Sequence, residues 1–492
     1  MTPSTSPQAA TDQHQSDAVA VNDASTRELY AKRQQIYPKR AKGKFRLIKW
    51  VFMAFALAAY YLLPFIRWDR GPDASNQAVL VDFAHQRFYF FFIELWPQEL
   101  YFVTGLLIIA ALALFLATAL FGRVWCGYAC PQTVWTDLFI AVERFFEGDR
   151  NKRMMRDKAP WSFDKAWRKI SKHIVWIFIA MATGGAWILY FHDAFDVVHN
   201  FFTGQAALTS YIFFAMLTFT TYTLAGTMRE QVCTYMCPWP RIQAAMTDRE
   251  ALNVTYRVDR GEPRGPHKKG ESWDDRGDCI DCKQCVAVCP MGIDIRNGSQ
   301  LECIHCALCI DACDDIMDKV GRPRGLITYE TDDNVDRFQR GEKPRYRFIR
   351  SRTVFYASVL TVICAIMAYG LMTRTTLELN ASRDRNPNYV RLSDGSVRNG
   401  YTLKVINKSA RYVNLDIHVE GDPAIEMRII GHEGEGLSLP VEPDRTRNFK
   451  VFLALPPEAI DGPSESFTFV VSDPETGETA TTRSVLLTGA PR

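Results

Sequence analysis

Residues 279–290 read CIDCKQCVAVCP, and residues 303–313 read CIHCALCIDAC. Each is C-x2-C-x2-C-x3-C, and the first closes on the Cys-Pro that marks a bacterial ferredoxin run. Four closely spaced thiolates suit a [4Fe–4S] cluster, whereas a structural zinc site draws on two separated Cys pairs. Two runs in series fold a small domain around two clusters, and the fourth Cys of each run crosses to the other cluster. Cys279, Cys282, Cys285 and Cys313 therefore form one expected ligand set, and Cys303, Cys306, Cys309 and Cys289 the other. Asp314 follows Cys313 where the pattern has Pro, which leaves the ligand in place and releases the backbone beyond it.

On both sides of these runs the chain turns apolar for stretches of about twenty residues, enough to cross a bilayer. Five spans are expected, at about 47–66, 99–121, 173–191, 206–228 and 353–373. Lysines and arginines crowd before the first, between the second and third, and before the fifth, which marks those segments as cytoplasmic. The loop from His192 to Gln205 has Asp193 and Asp196 but no Lys or Arg, so it reads as an outer loop. An odd number of crossings from an inner start places the C-terminus outside. The aromatic segment 77–97 suits the interface, but Arg87 and Glu94 count against a crossing, and the sequence leaves its position open.

Composition narrows the function. The 492 residues carry a net charge of +3, which argues for no nucleic-acid partner. Most of the thirteen Cys sit at metal-ligand spacing rather than as a disulfide framework, pointing to a reducing face. Residues 1–25 read as a disordered polar tail, the chain turns basic from Arg27 to Lys49, and no cleavable signal peptide is visible. Between Arg257 and Lys269 a Gly, Pro and basic stretch reads as a linker. After residue 374 the runs YTLKVIN, YVNLDIHVE, RTRNFKVFLAL, ESFTFVVS and RSVLLTG alternate or run β-rich between turn signals, which predicts an antiparallel sandwich. The chain thus divides into a basic N-terminus (1–46), a membrane bundle (47–228), a ferredoxin domain (229–352), a fifth span (353–373) and a β domain (374–492).

A second thiol system lies at the membrane edge. RVWCGYACPQ carries Cys126 and Cys130 just past span two, and REQVCTYMCPWP carries Cys233 and Cys237 just past span four. Both are C-x3-C-P. If helical, each pair shares a face at i, i+4, and the following Pro stops the helix. Both spans end inside, so the pairs can meet at one depth, where four soft thiolates suit Cu(I), zinc or an iron–sulfur cluster. Met236 and Cys364 read as packing residues, and His85, His192 and His199 as solvated loop residues.

GRVWCGYACPQTVW, REQVCTYMCPWPR, CIDCKQCVAVCPMGIDIRNG and CIHCALCIDACDDIMDKVGRPRGLI together resemble the CcoG family, also called FixG or RdxA, accessory proteins of cbb3-type cytochrome c oxidase assembly. The resemblance runs from about Tyr30 to the C-terminal β domain. It implies a multi-pass protein of the bacterial cytoplasmic membrane, with a cytoplasmic dicluster ferredoxin domain and a periplasmic immunoglobulin-like domain. It also implies reduction of Cu(II) to Cu(I), with copper as substrate and an oxidase assembly machinery, copper chaperone or transporter as partners. Cys126, Cys130, Cys233 and Cys237 are then the expected copper site. Two other readings stand beside it: a quinol-dehydrogenase-like subunit feeding a periplasmic reductase, and a non-catalytic assembly factor.

Overall fold

The computed structural model describes residues 15–22, 34–70, 74–268, 270–409, 411–431, 438–443 and 445–489. Most of the expected polar tail, and Arg27, Lys32 and Arg33, lie outside them. Residues 15–22 are tied to the ferredoxin runs: Ser16 donates its N–H to the Cys282 carbonyl at 2.9 Å, and Val21 to that of Gly292 at 2.7 Å. The chain forms two compact units, Met1–Ile66 with Gln77–Met367, and Arg67–Asn76 with Ala368–Arg492.

The larger unit opens with α1 (Lys44–Leu62) and an antiparallel meander of β1 (Val79–Asp82), β2 (Arg87–Phe90) and β3 (Ile93–Leu95). The aromatic segment 77–97 is thus a small sheet. Arg87 pairs with Glu94 at 3.0 Å and lies over the Trp96 ring, so the two charges satisfy each other. Next come α2 (Leu100–Phe121), α3 (Pro131–Glu147), α4 (Arg150–Lys158), α5 (Phe163–Ile188), α6 (Ala194–Thr203), α7 (Leu208–Thr221) and α8 (Trp239–Met246). The expected outer loop is therefore mostly α6, which Asp193 caps by accepting the Phe195 N–H.

Among the described residues four helical segments are long and apolar enough to cross a membrane: Lys44–Phe65, Pro97–Phe121, Leu208–Met228 and Ser351–Met372. The expected third span falls on α5, which is not among them. Its first third carries Lys165, Arg168, Lys169 and Lys172, and its apolar part closes early, at Ile188. Yet α5 is the long partner of α7. A Cβ on Gly184 would stand 2.9 Å from the Phe214 carbonyl, so the two backbones touch through a small residue, as membrane helices do.

Helices α3, α4 and α5 bury a charge cluster. Glu143 is 1% exposed and faces Arg153 at 2.7 Å, Arg229 at 2.8 Å and Lys172 at 3.5 Å.

The ferredoxin part pairs β4 (Leu252–Tyr256) with β5 (Ile327–Thr331) and holds α9 (Val258–Gly261), α10 (Gln284–Val288), α11 (Leu308–Val320) and α12 (Asp332–Gln339). The expected linker between Arg257 and Lys269 is part of this fold. It begins with α9, and Arg260 pairs with buried Asp278 at 2.7 Å. The last long helix, α13 (Ser351–Met372), packs on α2 through Tyr356 against Phe115 and Met367 against Gly105. Cys364 is exposed on it, not buried as expected.

The smaller unit is a β-sandwich. One sheet orders β10 (Glu426–Ile429), β12 (Arg445–Leu455), β8 (Val397–Asn407) and β6 (Leu377–Arg383), with β7 (Val390–Arg391) also on β8. The other orders β11 (Ser438–Val441), β9 (Val413–Glu420), β13 (Ser464–Ser472) and β14 (Thr479–Leu487). Alternate residues of both sheets interleave: Leu403, Val405, Leu415, Val451, Leu453 and Phe469 are each fully buried. Tyr401 is buried too, and its hydroxyl donates to the Val485 carbonyl at 2.9 Å, joining the sheets across that core.

Candidate iron–sulfur and membrane-edge thiol sites

The two ferredoxin runs repeat one backbone. Asp281 and His305, third in their runs, have φ of 52° and 53°; Lys283 and Ala307, fifth, have 54° and 59°. Left-handed residues this close together turn successive N–H groups toward one side and form an anion-binding concavity. A helix starts after each, α10 and α11. Side chains other than Gly resist this backbone, so its occurrence at matching positions twice points to a common demand.

The thiols sort into two apolar cavities. One is lined by Cys279, Cys282, Cys285 and Cys313 with Tyr256, Leu326 and Ile327. The other is lined by Cys289, Cys303, Cys306 and Cys309 with Met291 and Ile304; Cys285 reaches it as well. The fourth Cys of each run thus stands with the first three of the other. Electrostatics follow the same division. Burial drives the Cys313 thiol well above its ordinary range, and Cys285, Cys282 and Cys279 add to the shift. Burial likewise raises Cys303, to about 12, with Cys306 and Cys289 as its thiol neighbours. Such thiols give up their protons only to a strong local positive charge, which bound iron supplies.

The donor set fits the group. Among the described residues no three Cys, His, Asp or Glu side chains converge tightly enough to hold one bare ion. Cluster thiolates behave this way, because each hangs on a separate iron of a bulky cage.

The membrane-edge pairs are built alike, and not as the expected α-helical pairs. Helix α2 ends at Gly122, whose φ of 61° closes it, and Trp125–Ala129 then forms a wider π turn. Cys130 donates its N–H to the Trp125 carbonyl at 2.9 Å, five residues back, and Pro131 begins α3. Val232–Met236 repeats that turn, with Cys237 donating to the Val232 carbonyl at 2.8 Å and Pro238 leading into α8. π turns of this kind concentrate at functional sites.

The two pairs act on one another. Burial raises Cys126 to about 12, and Cys130, Cys233 and Cys237 push it further. Burial raises Cys233 to about 12 as well, with Cys130 and Cys237 as its thiol neighbours. The Cys126 thiol donates to Gln243 Oε1 at 2.9 Å, tying the first pair to α8 just past the second. Met236 is exposed and points away from a ligand role.

This thiol group sits against the second ferredoxin run. Arg123 donates its N–H to His305 Nδ1 at 3.0 Å and its guanidinium to the Cys303 carbonyl at 3.3 Å. Tyr128 donates to the Cys306 carbonyl at 3.4 Å, and Tyr329 to that of His305 at 2.6 Å. A Cβ on Gly127 would stand 2.8 Å from the Ile304 carbonyl. Arg123, Gln243 and His305 were not singled out by sequence reading; a lone His between two Cys of a run was the available hint.

With this geometry fixed, the comparisons with known proteins are specific. A family model described as a 4Fe-4S dicluster domain matches residues 228–332, and one described as a 4Fe-4S binding domain matches residues 103–152. A third, an IG-like fold at the C-terminal of FixG, matches residues 367–489. Nitrogen fixation protein FixG of Rhizobium meliloti is 50% identical over 494 residues, covering 94% of each chain. The chain belongs to the FixG family. Another relative of this FixG-family chain, protein RdxB of Cereibacter sphaeroides, is 48% identical over 429 residues, covering 86% of this chain and 90% of that one. A solved FixG-related protein from Vibrio parahaemolyticus covers 23% of this chain and 97% of its own, at 24% identity and a TM-score of 0.21. A FixG-family chain with 4Fe–4S-binding domains and four apolar helices is a membrane iron–sulfur electron-transfer protein.

Proposed function

We propose that this FixG-family chain reduces Cu(II) to Cu(I) at its membrane-edge thiols, in support of cbb3-type oxidase assembly. The observation that carries the reading is the placing of Cys126, Cys130, Cys233 and Cys237 on two matching π turns beside the second ferredoxin run, where no three of these described residues converge as a bare-ion site. Cys279, Cys282, Cys285 and Cys313 would hold one [4Fe–4S] cluster, and Cys289, Cys303, Cys306 and Cys309 the other. Bound clusters supply one electron at a time, which matches the single electron that converts Cu(II) to Cu(I). The protein's own part is positional. Gly127 and Arg123 bring the thiol turn onto the second run. Soft thiolates hold Cu(I) better than Cu(II), so the site favours the product oxidation state until a chaperone or transporter takes it.

The double variant Cys126→Ser/Cys130→Ser tests the reading. It should lose copper binding and cupric reduction while its iron content stays at the wild-type level. A second reading has one specific observation in its favour: the 4Fe-4S binding domain match at 103–152 encloses Cys126 and Cys130. On that reading the same variant loses iron and keeps its copper reduction.

A further inference from the structure

A pocket in the larger unit extends past the thiol turns, and only Cys233 of its lining belongs to the copper reading. It lies where α1, α3 and the turn after α7 meet the ferredoxin runs, and Cys233 forms part of its wall. Met291 and Ile304 form another part, and both also line the cavity of the second ligand set. One layer of side chains therefore separates a guest in this pocket from that set.

The charges in the lining balance. Lys49 and Arg229 stand against Asp137 and Glu230. Both Asp137 oxygens accept from Arg46 at 2.9 Å, and Arg229 is held by Glu143 at 2.8 Å. A bare cation would meet Lys49 and Arg229, and an anion would meet Asp137 and Glu230. A neutral guest escapes both penalties. Thr136, whose hydroxyl accepts from Gln132 at 3.2 Å, shares the lining with the apolar Met291 and Ile304. The lining thus mixes polar and apolar side chains. Ile48, Val51 and Phe52 flank Lys49 on α1 and are exposed, so the apolar surface of a membrane-crossing helix reaches the same turn.

We propose that this pocket takes the head group of a membrane quinol, the reductant for the ferredoxin runs. A quinol is neutral and flat, carries two hydroxyls and travels in the bilayer. Its oxidation breaks two O–H bonds, releases two protons to water and yields the quinone. The two electrons match two one-electron carriers, one in each ligand set. The proposal rests on the electron-transfer reading of those runs and not on copper as the acceptor.

The test uses the purified full-length protein and decylubiquinone, whose fully substituted ring cannot add a thiol. Alkylation by N-ethylmaleimide is followed residue by residue by mass spectrometry. Decylubiquinone should suppress alkylation of Cys233 and leave that of Cys364 unchanged. Thr136→Phe, which fills the pocket, should abolish the protection, and Thr136→Val, which keeps the volume but removes the hydroxyl, should weaken it. Absence of protection in the wild-type protein, which needs no variant to fold, overturns the proposal. So does protection that survives in Thr136→Phe, or protection given by Cu(I) but not by the quinone. Protection of Cys233 in a protein that fails to reduce Cu(II) would leave the quinol site standing and remove the copper reading alone.

Discussion

His305 Nδ1 accepts the backbone N–H of Arg123 at 3.0 Å, across 182 positions of sequence. An imidazole that accepts at Nδ1 is neutral and carries its proton on Nε2. Burial beside Arg123 holds His305 well below its ordinary pKa, to about 3, so the ring stays a neutral acceptor at physiological pH. His305→Ala leaves a buried N–H without its partner, at a cost of about 1–3 kcal/mol. The expected result is a lower unfolding temperature in detergent and a weaker paramagnetic resonance signal from the set containing Cys303 than from the set containing Cys279.

Gly127→Ala probes the same contact from the other side. The added Cβ meets the Ile304 and His305 carbonyls at 2.8 and 2.9 Å, and backbone cannot swing aside as a side-chain tip can. The thiol turn should back away from the second run. Cupric reduction should fall by roughly tenfold to a hundredfold, as ångström-scale misplacement does elsewhere, with iron content unchanged. Unchanged kinetics would mean that electrons do not pass across this contact.

Cys289→Ser tests the exchange of fourth ligands. The serine should deplete the cluster held with Cys303, Cys306 and Cys309 and spare the one nearer Cys279. Iron analysis with low-temperature spectroscopy reads the two signals. Selective loss of the signal nearer Cys279 contradicts the exchange.

Glu143 is the hub of the buried charge cluster, facing Arg153, Arg229 and Lys172. Glu143→Gln leaves three buried cations short of a carboxylate. Breaking a buried pair this way costs about 3–5 kcal/mol. Thermal unfolding in detergent should show the loss, and a fall within experimental scatter would mean that Glu147, which pairs with Lys172 at 2.9 Å and Arg153 at 3.7 Å, suffices for the cluster.

The distribution of basic residues predicts the orientation in the membrane. Reporter fusions after Lys158 and after Pro323 should read cytoplasmic, and one after Gly400 periplasmic. A cytoplasmic reading at Gly400 would require an even number of crossings.

What the sequence disclosed tracks what leaves a local signal. The uncharged runs of α2 and α13 were plain, because nothing else explains about twenty apolar residues in a row. The strand pattern of β8, β9 and β12 was equally legible from alternation. The Cys spacing gave both cluster ligand sets as expectations. Three features were hidden. The π turns at Cys126 and Cys233 differ from α-helix by one hydrogen-bond step, which no periodicity records. The meander at residues 79–95 was hidden by its aromatics, although Arg87 and Glu94 can form their ion pair only when the segment folds back. The roles of Arg123, Gln243 and His305 depend on partners more than a hundred positions away, and local pattern carries no trace of such distances.

The two matching π turns set a rule for how this chain can change over time. Each holds one more residue per hydrogen-bonded ring than an α-helix would. Loss of a single residue from either would restore α-helical geometry and rotate the downstream helix by about 100°. Cys130 would then swing away from Cys237, and α3 would reach the charge cluster on the wrong face. Residues at these turns can be exchanged for others of similar size, but their number cannot drift. Length polymorphism should be rare between Trp125 and Pro131 and between Val232 and Pro238, even where the identity of the intervening side chains varies.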